Sequence, residues 1–184
     1  PEGKYNKVIS FLYQFFICFN IIGEDKSNRL EDTIYEYAPL IEDSDSVKVV
    51  DDFIRDLKDK IPTREIFINS FKNLGWSNHW DQYKEIKSKE KVQVVLEILE
   101  RHLEKFRDDI SFTIEHILPD SESIEHAKIG NLILLEKGLN EKCANKPLEE
   151  KKEFYEKSSF TSVKGWLEYC KGKNFDTKEI NSRT

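Results

Sequence analysis

Three short stretches decide the fold of this chain: IEHILP at residues 114–119, IGNLILL at residues 129–135, and LN at residues 139–140, which ends in Asn140. Residues 110–114 alternate between apolar and polar side chains, a pattern that predicts a half-buried strand. The polar residues 120–125 then predict a turn, and residues 129–135 a second, short apolar strand. The chain is expected to become helical from Asn140. The order strand, strand, helix predicts a small antiparallel β-hairpin followed by a helix.

Most of the remaining sequence shows the apolar periodicity of helices. Apolar stripes run through residues 5–19, 47–61 and 92–106, and Pro62 should end the second of these helices. Four side chains are predicted to cap the first turns of helices: Asn28, Thr63, Ser88 and Asn145. Further helices are expected around Trp166 and over residues 176–183. The predicted fold class is α+β, mostly helical with one hairpin.

The change of periodicity at residue 110 suggests two functional parts. We predict a helical scaffold or linker subdomain over residues 1–109. Residues 110–184 would form the subdomain that holds the hairpin. The chain begins with Pro1 and contains no methionine, from which we expect it to be part of a longer polypeptide.

The amino-acid composition indicates the protein's cellular environment more clearly than its activity. Cys18, Cys143 and Cys170 are scattered and odd in number, which favours a reduced, cytoplasmic setting over a disulfide framework. The apolar run at residues 8–22 is shorter than a membrane span and interrupted by polar side chains, so we interpret it as a core helix and expect no membrane partner. Neither a phosphate-binding glycine loop nor a dinucleotide-binding glycine pattern is present.

The net charge is −6, which by itself argues against a nucleic-acid partner. The distribution of these charges along the chain is less unfavourable for nucleic-acid binding. Residues 1–110 carry 17 basic and 22 acidic side chains, whereas residues 111–184 carry 12 and 13. Nucleic-acid binding by the second part is therefore permitted but not indicated by charge.

The hairpin carries side chains suited to phosphodiester hydrolysis. A histidine that titrates near neutrality can accept a proton from water, and His116 is the candidate base. Oxygen ligands hold Mg²⁺ or Mn²⁺, and Glu115 and Asn140 are the candidate metal ligands. Asn131 is grouped with His116 as a catalytic candidate, because it could hydrogen-bond the imidazole or the backbone beside it. Because adjacent strand residues point to opposite faces, the strand must end or twist at Glu115 and His116 for both to serve one site.

Other polar side chains have a weaker claim. Four lysines after the hairpin could contact DNA phosphates, or could equally form a solvated helix face: Lys142, Lys146, Lys151 and Lys152. The remaining histidines are interpreted as structural or, for His126, as a solvated loop residue. Cys143 is expected to be a packing residue rather than a nucleophile.

The runs IEHILP, IGNLILL and LNEKCANKP (residues 139–147) resemble the C-terminal domain of the GmrSD-type, modification-dependent restriction endonucleases, a branch of the HNH or ββα-metal nucleases. The resemblance is specific over residues 112–158. It implies His116 as the general base, Glu115 and Asn140 as metal ligands, and Asn131 and Asn145 as supporting residues. It also implies an upstream ParB-like nucleotide-hydrolysing module as a partner.

Two classes of function remain open at this point. The first is a Mg²⁺- or Mn²⁺-dependent DNA endonuclease domain of prokaryotic phage defence; an RNase is a weaker variant, because the same groups would cut RNA. The second is an inactive HNH-like module that docks to an upstream sensor domain.

Overall fold

The computed structural model describes residues 2–22, 28–43, 46–103 and 110–184. Its contacts divide the chain into two compact units, Pro1–Phe71 and Lys72–Thr184. This division lies upstream of the boundary predicted after residue 109. The reason is that a long helix preceding the hairpin packs against it, so this helix belongs to the second compact unit.

The first unit is built from helices. They are α1 (Glu2–Phe16), a π-helical turn (Ile17–Ile22), α2 (Asn28–Asp43), α3 (Val47–Lys58) and α4 (Arg64–Lys72). Its core consists of buried apolar side chains from α1, the π-helical turn, α2 and α3: Phe15, Phe19, Leu30, Ile41, Val50, Phe53, Ile54 and Leu57. The stripe predicted for α3 is therefore confirmed, except that Val47 is 55% exposed.

The ends of these helices follow the expected chemistry. Ser46 accepts a hydrogen bond from the Lys48 amide at the start of α3, and Thr63 accepts one from the Ile66 amide at the start of α4. The side chain of Asn28, another predicted cap, lies outside the described residues.

One helical stretch is long and apolar enough to cross a membrane, Tyr5–Ile22, and only 17% of it is buried. Core helices and signal sequences can have the same length and composition. In this unit Phe15, Phe19 and Ile22 face the protein core, whereas Ile9 is 65% exposed.

The second unit surrounds the hairpin. Its elements are α5 (Ile86–Leu103), β1 (Phe112–His116), β2 (Leu132–Glu136), α6 (Lys137–Cys143), α7 (Leu148–Tyr155), α8 (Thr161–Tyr169) and α9 (Thr177–Arg183). The strands pair antiparallel, from Phe112 opposite Glu136 to His116 opposite Leu132. Both faces of β2 are covered, because its consecutive residues Leu132–Leu135 are all buried. Helices α5 and α8 pack against β2, and α6 packs against both strands.

The predicted α+β class and hairpin are confirmed, while several boundaries differ. Residues 129–131 form a 3₁₀ turn, so the second strand begins only at Leu132. Helix α6 begins at Lys137, upstream of Asn140, because the Lys137 amide still bonds to the Ser111 carbonyl and the chain turns directly from the strand into the helix.

Two predicted caps were wrong. Ser88 lies inside α5, which begins at Ile86. Pro147, not Asn145, precedes α7, and no side chain caps that helix. The apolar stripe of α5 was also too long, since Leu99 and Leu103 are 47% and 55% exposed.

Two carboxylates hold α8 in place at its N-terminal end. Glu100 of α5 is 3% exposed and accepts hydrogen bonds from the first two amides of α8, those of Thr161 and Ser162. Glu136, at the end of β2, accepts bonds from the Ser158 hydroxyl and from the Ser159 amide and hydroxyl. Unpaired helix amides are therefore satisfied by side chains from outside the helix.

Candidate active site

A polar cleft of about 490 Å³ opens beside the end of β1. Its lining includes five of the predicted site residues: Glu115, His116, Asn140, Asn145 and Lys151. Other lining side chains come from the loop after α4 and from the turn after β1, among them Trp76, His79, Asp120 and Glu122. The cleft lies entirely within the second compact unit.

The carboxylate of Glu115 is buried at the back of the cleft. Its Oε1 accepts hydrogen bonds from Lys151 Nζ at 2.8 Å and from the Tyr155 hydroxyl at 3.0 Å. Burial raises the pKa of Glu115 above 4.5, and the Lys151 ammonium acts in the opposite direction. Burial beside Glu115 also raises the pKa of Tyr155, so the phenol remains a hydrogen-bond donor.

The imidazole of His116 is fixed by its neighbours. Its Nε2 lies 2.8 Å from the Trp76 carbonyl oxygen and 3.8 Å from Asp120 Oδ2. The ring also packs against the Trp76 indole, with 5.1 Å between centroids. Burial lowers the pKa of His116 below 6.5, although the Trp76 bond and the Asp120 charge raise it. Burial therefore favours the neutral form of the imidazole.

Glu115 and His116 have different partners, as expected for adjacent strand residues. Glu115 contacts α7, and His116 contacts the Trp76 loop. Both nevertheless line the cleft, because β1 ends at His116. From the sequence, the strand had to end or twist at Glu115 and His116 for both to reach one cleft, and it does end there.

Asn140, on α6, lines the same cleft as Glu115 and His116. Its amide nitrogen donates to Thr113 Oγ1 at 2.7 Å and to the Ile114 carbonyl at 3.1 Å. These bonds fix the amide plane and leave the side-chain oxygen as the polar atom available for other contacts. Asn145 is exposed on the cleft lining, just after Ala144, whose positive φ of 43° is unusual for a non-glycine residue.

Asn131 lies outside the cleft lining and is fully buried. It binds backbone only: its oxygen accepts from the Leu118 amide, and its nitrogen donates to the carbonyls of Leu118 and His126. Of the two contacts considered from the sequence, the structure shows the one to the backbone beside the histidine. Asn131 is therefore a positioning residue for the turn after β1.

The four lysines do not form one surface. Lys151 is 2% exposed and donates to Glu115 and to the His116 carbonyl at 2.7 Å, so its interpretation as a phosphate contact was wrong. Lys152 pairs with Glu149, and Lys146 lies 6.0 Å from the Phe154 ring centroid. Lys142 is exposed on α6.

Sequence reasoning missed several residues of the site. His79, Asp120 and Tyr155 carry no local pattern, and the aromatic loop with Trp76 and Trp80 was the only available signal. His126 was interpreted as solvated, but it is 8% exposed and bonds through Nδ1 to the Pro119 carbonyl. Burial raises the pKa of Cys143 to about 11, which agrees with a packing role.

Two side chains of the cleft carry oxygen atoms of the kind that hard divalent cations bind. Glu115 and Asn140 offer oxygen atoms to the same cleft, and Lys151 and Tyr155 both bind Oε1 of Glu115 rather than Oε2. Among the described residues, no three His, Cys, Asp or Glu side chains form a metal-binding group. A cation here would depend on one carboxylate, one amide oxygen and water, an arrangement that Mg²⁺ tolerates.

Comparison with known protein families gives a match that includes the residues of the cleft. The family described as "GmrSD restriction endonucleases, C-terminal domain" matches residues 62–184. This range includes the whole second compact unit and is two thirds of the chain. No curated protein and no solved structure gives a significant match.

Proposed function

The chain belongs to the family of the C-terminal domain of GmrSD restriction endonucleases, and on this basis we propose that its cleft hydrolyses DNA phosphodiesters in an HNH-type reaction that requires Mg²⁺ or Mn²⁺. The observation that carries this proposal is the presence of Glu115, His116 and Asn140 on one cleft. By extension, the protein would act inside prokaryotic cells against modified phage DNA, together with a ParB-like sensor module.

His116 is suited to activate the attacking water. The Trp76 carbonyl can only accept a hydrogen bond, so Nε2 of His116 carries the proton and the neutral ring has Nδ1 as its basic atom. Since burial keeps the ring neutral, Nδ1 is ready to accept a proton from water. Packing against Trp76 limits rotation of the ring while this occurs.

The charge of the cleft supports the proposed requirement for a cation. Glu115, Asp120 and Glu122 line the cleft. Lys151 is the only lysine among the described lining residues, and it is already bonded to Glu115. A phosphodiester would be repelled by these carboxylates. A divalent cation bound by Glu115 and Asn140 would supply the positive charge that stabilises the negative charge of the reacting phosphate.

Replacement of His116 tests the proposal. His116→Ala should remain folded and lose at least about 100-fold in the rate of plasmid nicking, because water then has no positioned base. The matched control is His102→Ala, since His102 is exposed on α5 and absent from the cleft lining. Nicking should be measured in Mg²⁺ and in Mn²⁺, with thermal unfolding of each variant. A His116→Ala protein that nicks as fast as the wild type would overturn the assignment.

One observation favours the second candidate, a binding module that no longer cuts. The ammonium of Lys151 already neutralises Glu115, as a metal ion would. Calorimetric titration with Mn²⁺ separates the two functions. The nuclease requires binding that weakens in Glu115→Gln and Asn140→Ala, whereas the docking module predicts no binding in any of the three proteins. Parallel digestion of RNA and DNA distinguishes an RNase.

A further inference from the structure

The cleft contains a second imidazole that the proposed reaction does not yet use. His79 lies in the loop between α4 and α5, and its side chain is 55% exposed on the cleft lining. It shares this lining with His116. An exposed histidine in a loop is usually mobile and has no defined role. The contacts that hold this loop therefore decide whether His79 has a defined position.

Those contacts converge on Asp120, in the turn after β1. The Ser77 hydroxyl, fully buried, donates to Asp120 Oδ2 at 2.6 Å and accepts from the His79 amide at 2.9 Å. The Trp80 indole donates to the Asp120 carbonyl at 2.6 Å. Residues on both sides of His79 are thereby tied through their side chains to the turn that follows His116. The backbone at His79 is therefore held beside the cleft.

The carboxylate of Asp120 lies between the two imidazoles. Its Oδ1 is 3.7 Å from His79 Nε2, and its Oδ2 is 3.8 Å from His116 Nε2. Attraction between Asp120 and a protonated His79 orients the ring with Nε2 towards the carboxylate. The second nitrogen, Nδ1, is then the atom that can donate a proton to a bound substrate.

The chemistry of the reaction would be assisted by such a donor. Breaking the phosphorus–oxygen bond leaves a sugar alkoxide, which is a far stronger base than imidazole. Among the described residues that line the cleft, Lys151 is the only lysine, and it already donates to Glu115 and to the His116 carbonyl. A proton donor elsewhere on the cleft lining would stabilise the leaving oxygen as it departs, and His79 lies on that lining.

We propose that His79 is the general acid of the reaction and protonates the leaving oxygen of the phosphodiester. The proposal rests on the proposed nuclease function. Water forms a bond to phosphorus while the bond from phosphorus to the leaving oxygen breaks. His116 takes one proton from the water, and His79 gives its proton to the leaving oxygen. The two rings then return to their starting states by exchanging protons with solvent, so that charge and atoms balance.

A substrate whose leaving atom is sulfur tests this role directly. A thiolate departs without protonation, so it does not need a general acid. After the phosphate-bearing end of the normal product is mapped, an oligonucleotide is made with sulfur in place of the leaving oxygen and is assayed in Mn²⁺. His79→Gln should cut the normal oligonucleotide roughly 10²–10⁴-fold more slowly at unchanged KM. It should cut the sulfur oligonucleotide within about threefold of the wild-type rate, as expected when no acid is needed.

The controls separate this proposal from its alternatives. His102→Gln, on the exposed face of α5, should match the wild type on both substrates. An equal loss by His79→Gln on both substrates, or a change confined to KM, would show that His79 binds DNA or supports the fold, and would overturn the proposal. If the wild type cuts neither substrate, the nuclease function itself fails. If the wild type cuts and His79→Gln cuts equally well, only the role of His79 fails.

Discussion

The buried amine of Lys151 links two of the elements that form the cleft. It is 2% exposed and bonds to the Glu115 carboxylate and to the carbonyl of His116. It therefore joins α7 to the end of β1 at the two residues proposed for catalysis. A buried ion pair adds little net stability as a pair, but removal of one partner leaves an uncompensated buried charge.

Lys151→Met should reduce the free energy of unfolding by about 3–5 kcal/mol. The double variant Glu115→Gln, Lys151→Met should recover a substantial part of this loss, because neither charge then remains buried alone. Urea denaturation of the single and double variants measures both values. Lys152→Met is the matched control, since Lys152 pairs with the exposed Glu149. A loss below about 1 kcal/mol in Lys151→Met would show that the pair behaves as a surface pair.

The position of α8 depends on carboxylates supplied by other elements. Glu100 comes from α5 and Glu136 from the end of β2, and both bind the segment where α8 begins. The hairpin and two helices are thus joined by charge-assisted hydrogen bonds as well as by apolar packing. These links hold the segment that follows α7, the helix that supplies Lys151 and Tyr155.

Glu136 should make stability depend on pH. Burial raises its pKa, but hydrogen bonds from Ser159 and Ser158 prevail and lower it below 4.5. A carboxyl with a lowered folded-state pKa contributes stability above its unfolded pKa and loses it as pH falls through the folded value. We expect Glu136→Gln to be less stable than the wild type by about 1 kcal/mol at pH 7. The difference should vanish well below pH 4.5.

Urea denaturation over this pH range measures the effect. Glu149→Gln, which alters an exposed carboxylate at the start of α7, is the control and should show little difference at any pH. A Glu136→Gln difference that stayed constant from pH 7 to pH 3 would show that the carboxylate's charge is not the cause.

The molecule as a whole consists of two compact units that each bury an apolar core. The first has its own cluster around Phe15, Phe53 and Leu57. The second contains the complete cleft. Residues 1–71 carry 9 basic and 14 acidic side chains, a net of −5 out of the total of −6. Most of the charge that opposes DNA binding is therefore outside the unit that holds the proposed active site.

A polypeptide of residues 72–184 should fold and nick DNA by itself, because its core and its cleft are self-contained. Its affinity for DNA should exceed that of the full chain at low salt, since the net charge changes from −6 to −1. The gain should decrease as salt screens the charges. Circular dichroism, nicking assays and filter binding at two salt concentrations measure these properties. An unfolded or inactive 72–184 polypeptide would show that residues 1–71 complete the nuclease rather than only accompany it.

The local order of the sequence determined the hairpin and the choice of Glu115, His116 and Asn140, because alternation, periodicity and the spacing of the three motifs are properties of neighbouring residues. The family resemblance likewise depends on these three short motifs. The ends of helices were less predictable: α6 starts at Lys137 because its amide bonds to Ser111 across the hairpin, a contact between distant residues.

Only the tertiary structure decided what surrounds these three side chains. Residues 76–80 precede His116 by about 40 positions, yet they supply Trp76, which fixes the His116 ring, and His79 on the same cleft. Lys151 looked like a surface lysine because its helical neighbours are charged, but α7 turns it inward to Glu115. Burial and long-range hydrogen bonds set the protonation of a site, and neither can be calculated from the residues adjacent in the chain.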